Sequence, residues 1–473
     1  DCDDGDAHIF PGTTFEIDET WYDGRDSNCN GVDDYFIEAS SSDFTLTGDP
    51  GENLGAVAIF AGQLTAAATG SVLAGNPQRD SNGFIDAGAA GLFTSWDTEF
   101  VRFGSADTLL TGTFDAMEFG RSVAMIGDLN GDGNNDLAIG ARSSAPVTAD
   151  PGAVFIFLGP HTDASANDHD HLVEGTAQDQ AGLSIAGVGD TNGDSFDDLL
   201  IGAPGLGNDG GAGLFLGPIS GQIVGLADAD SLFALSTVAS APSGAGTQVT
   251  ALSDVDGDGL ADYAIGAPTA SSMVFANAGK VFVYFGSATP PSSDLESADL
   301  VLTGVLQNDK LGTAIGNAGD IDGDGLSDLL LYSAKSYFST SNGISYLLVG
   351  VGPQSQVLTH EASFEGENPF DLAGNPLSGA GDINGDGKND LMFGSSSNDS
   401  NRGAVYLVLG PVSGTVLLSD ADIKISGDVA TTLGTSLDGG GDINADGFSD
   451  ILMGAPASGN QQEGSLMLFL GGN

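Results

Sequence analysis

The chain has 473 residues and carries 66 Asp plus Glu against 11 Lys plus Arg, a formal net charge of −55. A polyanion of this size is repelled by phosphate backbones and anionic lipid surfaces, so nucleic-acid binding and docking through a basic patch are excluded. Apolar residues make up 40% of the sequence, enough for a substantial core, and no apolar run approaches the length of a membrane span. The first residue is Asp rather than Met and no signal peptide follows, so the chain reads as a processed or excised segment.

In chain order, the first 43 residues stand apart. They hold Cys2 and Cys29, the only two cysteines, and no C-x-x-C pattern occurs. The expectation is a local disulfide formed in an oxidising compartment; two unrelated free thiols are the alternative. Asp26, Asn28, Asn30 and Asp34 place oxygen side chains at positions 1, 3, 5 and 9 of a short loop, a spacing that returns downstream. The run Asp1-Cys2-Asp3-Asp4-Gly5-Asp6, with Trp21-Tyr22-Asp23-Gly24 and the stretch from Asp26 to Asp34, resembles a short metal-binding motif of large bacterial surface proteins. That resemblance implies a calcium ion stapled by Cys2–Cys29; an acidic linker with one disulfide is the plainer alternative.

Residues 44–473 are repetitive, and the repeat decides the fold. A phrase of apolar residues, Gly-Asp, an Asp/Asn/Gly loop, another Asp and an apolar run recurs. Its loops begin at Asp128, Asp190, Asp254, Asp320, Asp382 and Asp442, with spacings of 62, 64, 66, 62 and 60 residues. A second phrase closes on Gly, as from Phe155 to Gly159 and from Tyr406 to Gly410. A third ends in Thr-Gly or a near relative, from Leu46-Thr47-Gly48 to Ile425-Ser426-Gly427, and has seven copies. The missing seventh loop is found by aligning backward from Ser71-Val72-Leu73: Gln63, Thr65, Ala67 and Ser71 stand where the others have Asp or Asn. The frame is kept and every carboxylate is gone.

Each repeat reads as four short strands, because its apolar runs of four or five residues are too short for helices. Four-stranded sheets stacked radially give an all-β, seven-bladed β-propeller; a linear solenoid is the competing arrangement. Ring closure is favoured because the chain enters on the third phrase, residues 44–48, and ends on the second, Met467 to Gly471. The entering strand then completes the last blade and leaves no open edge. At this level Gly182-Leu183 through Gly202-Ala203-Pro204, Gly246-Thr247 through Gly266-Ala267-Pro268, Phe119-Gly120 and Gly454-Ala455-Pro456 resemble FG-GAP repeats. The resemblance implies the seven-bladed propeller of integrin alpha chains and of many bacterial surface proteins. Gly140-Ala141-Arg142, Gly394-Ser395-Ser396 and Leu331-Tyr332-Ser333 depart from Gly-Ala-Pro.

The chemistry lies in the loops. Asp128, Asn130, Asp132 and Asp136 occupy positions 1, 3, 5 and 9, with Gly133 at the bend. The same positions hold Asp190, Asn192, Asp194 and Asp198; Asp254, Asp256, Asp258 and Asp262; and Asp320, Asp322, Asp324 and Asp328. Asp382, Asn384, Asp386 and Asp390, then Asp442, Asn444, Asp446 and Asp450, complete the six sets. Alternate residues of a curled loop point at one centre, and calcium accepts six to eight hard oxygens in irregular geometry. Magnesium demands tighter octahedral order, and zinc wants His or Cys. The expectation is one Ca2+ per loop, about six in all, with Ser195 replacing the bend Gly in the second; solvated Asp-Gly turns are the alternative.

Asp168-His169-Asp170-His171 is the strongest catalytic temptation, since alternate residues of an extended segment face one side and two His can share a metal. A solvated loop before the Leu172-Val173 strand is the favoured reading, and no nucleophile motif occurs, so no catalytic residue is assigned. Three functional classes remain on this scaffold. The favoured one is an extracellular or cell-surface module binding protein or glycan across one propeller face, without membrane insertion. A structural subunit packing against copies of itself and a polysaccharide-active enzyme follow.

Overall fold

The computed structural model describes residues 35–39, 42–62, 70–96, 100–146, 150–176, 178–207, 209–219, 225–235, 242–289, 291, 293–334, 342–350, 360–428, 430–459 and 461–472. They form seven sheets, each built on four antiparallel strands. Blade one is Val57–Gly62, Ser71–Asn76, Ala89–Phe93 and Thr108–Thr111. Blade two is Ser122–Met125, Leu137–Ala141, Ala153–Phe157 and His171–Glu174. Blade three follows as Ile185–Gly189, Asp198–Ala203, Gly211–Phe215 and Ser231–Ala234. Blade four is Gln248–Ser253, Asp262–Ala267, Lys280–Tyr284 and Leu300–Thr303. Blade five is Ile315–Gly319, Asp328–Ser333, Ile344–Leu348 and Ala362–Glu365. Blade six is Leu377–Gly381, Asp390–Ser395, Ala404–Val408 and Ile423–Ser426. Blade seven takes Leu437–Gly441, Asp450–Ala455 and Ser465–Phe469 from the far end of the chain and Phe44–Thr47 from its beginning.

Burial explains the sequence of each strand. Second strands such as Asp198–Ala203 and Asp390–Ser395 are buried at every residue, because neighbouring blades cover both faces, and so they read as unbroken apolar runs. Outer strands such as Leu300–Thr303 and Ile423–Ser426 bury alternate residues, the period of a strand with one face in the core. First strands crowd round the axis and must be thin. A Cβ on Gly187 would stand 2.5 Å from Ile126 Cα, and one on Gly379 would stand 2.8 Å from the Asn317 carbonyl oxygen.

The first strands pack against one another all round the ring, and Leu437–Gly441 of blade seven meets Val57–Gly62 of blade one. Across that seam the Phe60 N–H donates to Asp438 Oδ2 at 2.6 Å. Phe44–Thr47 pairs antiparallel with Ser465–Phe469, Thr45 opposite Met467. The arrangement is a closed ring and not a solenoid.

A second device ties the blades together. The connection from third to outer strand reaches back and adds a short parallel strand to the preceding blade. Phe100–Arg102 lies on Phe44–Thr47, Ala164–Ser165 on Thr108–Thr111, and Gly414–Leu417 on Ala362–Glu365. Tyr35–Glu38, which the sequence reading left in the N-terminal segment, lies parallel on Ile423–Ser426 of blade six. It occupies the place of the strap for blade seven, the one blade whose third and outer strands come from opposite ends of the sequence. Among the described residues no helix is long and apolar enough to cross a membrane.

Leu46 is buried in the closing strand, so Leu46→Ala is expected to lower stability by about 2–5 kcal/mol. Removing residues 1–48 takes away the whole strand and leaves Ser465–Phe469 as a bare apolar edge. Thermal unfolding and light scattering then show a lower Tm and association beyond the monomer. An unchanged Tm together with an unchanged mass contradicts closure at this seam.

Candidate metal centres

Six acidic loops join first to second strands in blades two to seven, and each folds around its own first carboxylate. In blade two, Asp128 Oδ1 accepts the N–H groups of Gly131 and Asp132 at 2.7 and 2.9 Å, and Oδ2 accepts that of Gly133 at 2.8 Å. Asn130 Oδ1 then accepts the Asp132 N–H at 2.8 Å, and Asp132 Oδ1 the Asn134 N–H at 2.9 Å. The same ladder recurs on Asp190, Asn192 and Asp194, on Asp254, Asp256 and Asp258, and on Asp320, Asp322 and Asp324. It recurs again on Asp382, Asn384 and Asp386 and on Asp442, Asn444 and Asp446. Carboxylates at alternate positions therefore take up the turn's backbone donors and are held on the inside of the curl.

The ninth residue is different. Asp198, Asp262, Asp328, Asp390 and Asp450 open their second strands, Asp136 immediately precedes its own, and all six are fully buried. Burial is the largest cause raising each carboxyl from its ordinary 3.8: to about 6 at Asp136, Asp198, Asp328 and Asp450, and about 7 at Asp262 and Asp390. Backbone donors oppose the rise, and other carboxylates of the same loop add to it.

In two loops three carboxylates converge. Carboxylate oxygens of Asp254, Asp256 and Asp262 lie within 4.8 Å of one another, as do those of Asp320, Asp322 and Asp328. Asp258 and Asp324 fall outside these groups. In the other four loops position three is Asn, which offers an amide oxygen instead. The donor set is wholly hard oxygen, and in blade five the buried Asp328 Oδ1 has no hydrogen-bond partner. Both observations fit a hard divalent cation and not zinc.

Neighbouring loops also touch. Residue eight of one loop donates its N–H to the first carbonyl of the loop before it: Ala261 to Asp190 at 3.0 Å, Ser327 to Asp254 at 3.1 Å, Ser449 to Asp382 at 2.9 Å. Phe196 and Phe448 lie over Gly131 and Gly385 of the preceding loops, where a Cβ would come within 2.4 Å of each ring. In blade one, Ser71 stands opposite Gly62 as Asp198 stands opposite Gly189, so Ser71 takes the ninth position; its Oγ is buried without a partner. Gln63, Thr65 and Ala67 lie outside the described residues, as do Cys2, Cys29, Asp26, Asn28, Asn30 and Asp34.

The histidine-acid cluster has structural uses. Asp168 Oδ2 accepts the Ser165 N–H at 2.9 Å, and His169 Nδ1 donates to the Ala166 carbonyl at 2.6 Å. Asp170 Oδ2 accepts the Leu158 N–H at 2.8 Å, and this bond belongs to a series that sequence reasoning missed. Asp43, Asp107, Asp230, Asp299 and Asp422 accept the N–H groups of Leu470, Thr94, Leu216, Phe285 and Leu409. The available signal was an Asp immediately before each of these outer strands.

Comparison with known proteins agrees with this architecture. Residues 119–157, 181–215, 245–284, 377–408 and 433–467 match the FG-GAP repeat; these segments fall in blades two, three, four, six and seven. The chain is similar to integrin alpha-X of Homo sapiens, 30% identical over 141 residues, 29% of this chain and 12% of that protein. Integrin alpha-IIb of Homo sapiens is 31% identical over 175 residues, 36% of this chain and 16% of its own length. Integrin alpha-PS2 of Drosophila melanogaster is 29% identical over 220 residues, 43% of this chain and 15% of its own. These matched stretches thus span 12–16% of the relatives' length.

Two outcomes are expected. The folded state holds its ninth-position carboxyls protonated to higher pH than the unfolded chain does, so between about pH 4 and 7 it binds more protons. In chelator, the Tm should therefore fall as pH rises through that window; a Tm rising with pH contradicts the burial argument. Ser195 sits at φ 73, where Gly133 has 86 and Gly325 has 90. Ser195→Gly should stabilise by about 0.5–1 kcal/mol, the left-handed penalty less the extra unfolded entropy of glycine. Urea unfolding that finds the variant less stable contradicts it.

Proposed function

We propose that this chain, an FG-GAP repeat β-propeller, is a calcium-stabilised module of a secreted or cell-surface protein that binds a protein or glycan. The binding face is the one opposite the acidic loops. The similarity to integrin alpha chains supports a binding role over catalysis, and the hard-oxygen loops support calcium. In each loop the residues at positions 1, 3, 5 and 9 would hold the ion. The ion would neutralise buried like charge, and binding only the folded ring it would add stability.

The difference between the two faces carries the reading. Strands alternate in direction, so first-to-second connections leave at one end of every blade, and second-to-third and blade-to-blade connections leave at the other. The first end carries the acidic loops. At the opposite end Ile85, Met273, Val274, Val305, Phe370 and Leu372 are exposed. Phe370 and Leu372 are the most telling, at φ 71 and 54. Asn308 and Lys310, and Ala430 and Thr432, take the same left-handed positions in neighbouring turns, so the turn belongs to the fold while the apolar side chains do not. Phe is 61% exposed at 370, and neither packing nor backbone preference explains it there. Recognition of an apolar partner surface does, which favours protein over glycan.

Calcium is expected to raise the Tm and to reverse its pH trend, since the ion binds only ionised carboxylates. Asp324→Ala should lower the Tm in calcium and shrink the gap between calcium and chelator; equal Tm values in both media for the unaltered chain contradict the metal reading. Binding is tested on arrays of secreted proteins and of glycans. Phe370→Ser combined with Leu372→Ser should cut the strongest protein signal about tenfold or more without lowering the Tm. Undiminished binding by that variant removes this face from the account.

A further inference from the structure

Blade five departs from its neighbours at one atom. In the other five acidic loops the ninth-position carboxylate is held at both oxygens by backbone donors. Its Oδ2 takes the N–H of loop residue two, and its Oδ1 takes the N–H of the glycine just beyond the third strand. In blade four, for example, Val255 and Gly286 donate to Asp262 at 2.7 and 2.8 Å. Asp328 keeps only the first of these, from Ile321 at 2.9 Å. Its Oδ1 is buried with no hydrogen-bond partner, in a residue that is fully buried. The cause lies where the third strand ends. Blades two and six close with Leu-Gly-Pro, at Leu158-Gly159-Pro160 and Leu409-Gly410-Pro411, whereas blade five runs Val349-Gly350-Val351-Gly352-Pro353. Gly350 turns into the left-handed region at φ 59, and its N–H is not delivered to Asp328.

We propose that the blade-five loop is the dominant cation site of the ring, the one that binds a hard divalent cation such as calcium most tightly and fills first. The inference rests on the reading of these loops as calcium sites. A buried carboxylate oxygen without a donor is costly in the ion-free protein, and its lone pairs remain uncommitted. A carboxylate oxygen of Asp328 also lies within 4.8 Å of carboxylate oxygens of Asp320 and Asp322. Blade four supplies the control. It has the same four carboxylates at the same positions, but both oxygens of Asp262 already have donors. Charge number is therefore equal and the missing N–H is the difference. One charge-assisted hydrogen bond corresponds to about tenfold or more in affinity.

The test is calorimetric titration of the chelator-stripped full chain with calcium, for the unaltered protein, Asp328→Asn and Asp262→Asn, with the Tm of each in chelator. Asp328→Asn should abolish the tightest step or weaken it about tenfold, while Asp262→Asn leaves that step and removes a weaker one. In chelator the order is set by hydrogen bonding. An Asn at 328 can turn its NH2 to the side without a donor, whereas at 262 it must face an N–H, so Asp328→Asn should melt above Asp262→Asn. Survival of the tightest step in Asp328→Asn, or the reverse melting order, overturns the proposal while leaving the calcium reading standing. Failure of Asp328→Asn to fold where Asp262→Asn folds overturns it too. Absence of calcium binding by the unaltered chain overturns the calcium reading and this inference with it.

Discussion

The structure depends on a carboxylate placed at the start of a strand that is largely apolar and buried on both faces. That placement is repeated in six blades, from Asp136 to Asp450. Each such carboxylate ties the second strand to the loop before it and, in five blades, to the turn after the third strand. The first carboxylate of each loop likewise gathers the backbone donors of its own bend. These groups therefore do two jobs. They cap a tight turn as backbone acceptors, and together they concentrate negative charge that burial makes hard to keep.

Consequences spread because the loops are not separate. The N–H of residue eight in one loop bonds the first carbonyl of the loop before it, and aromatic side chains such as Phe196 and Phe448 lie across the junctions. At the rim, straps such as Ala164–Ser165, Phe100–Arg102 and Gly414–Leu417 bind blades to their predecessors. A linear repeat protein couples nearest neighbours and frays at its ends. Here the ring has no end, because Phe44–Thr47 and Tyr35–Glu38 reach blades seven and six from the start of the chain. A distortion of one loop is thus passed to its neighbours and not absorbed by fraying at a chain end.

Much of this was legible in the residues. The Gly-Asp signal and the nine-residue carboxylate spacing set the repeat, and the apolar runs set the strands. The ring followed from the phase of residues 44–48, and the register placed Ser71 where the others have Asp. What stayed hidden depends on contacts between distant segments. An Asp before an outer strand, such as Asp107 or Asp299, looks like a solvated turn until the strand end it caps is known. Tyr35–Glu38 has no signature of its own, since its partner Ile423–Ser426 lies at the other end of the sequence. His169 and Asp170 lie in a loop before a strand, as expected, but the backbone groups they bond, the Ala166 carbonyl and the Leu158 N–H, are not legible from the alternation of acid and imidazole. The solitary Oδ1 of Asp328 was invisible because it reflects where a different strand ends.

If the acidic loops are cation sites, every blade that carries the carboxylate row holds an ion and blade one does not. A crystal structure in millimolar calcium, with ions identified by their anomalous scattering, tests it most directly. An ion is expected within coordination distance of the ninth-position carboxylate in each loop from Asp128 to Asp450, and none at Gln63 to Ser71. Water or empty density in most of the six loops, or an ion beside Ser71, would contradict it.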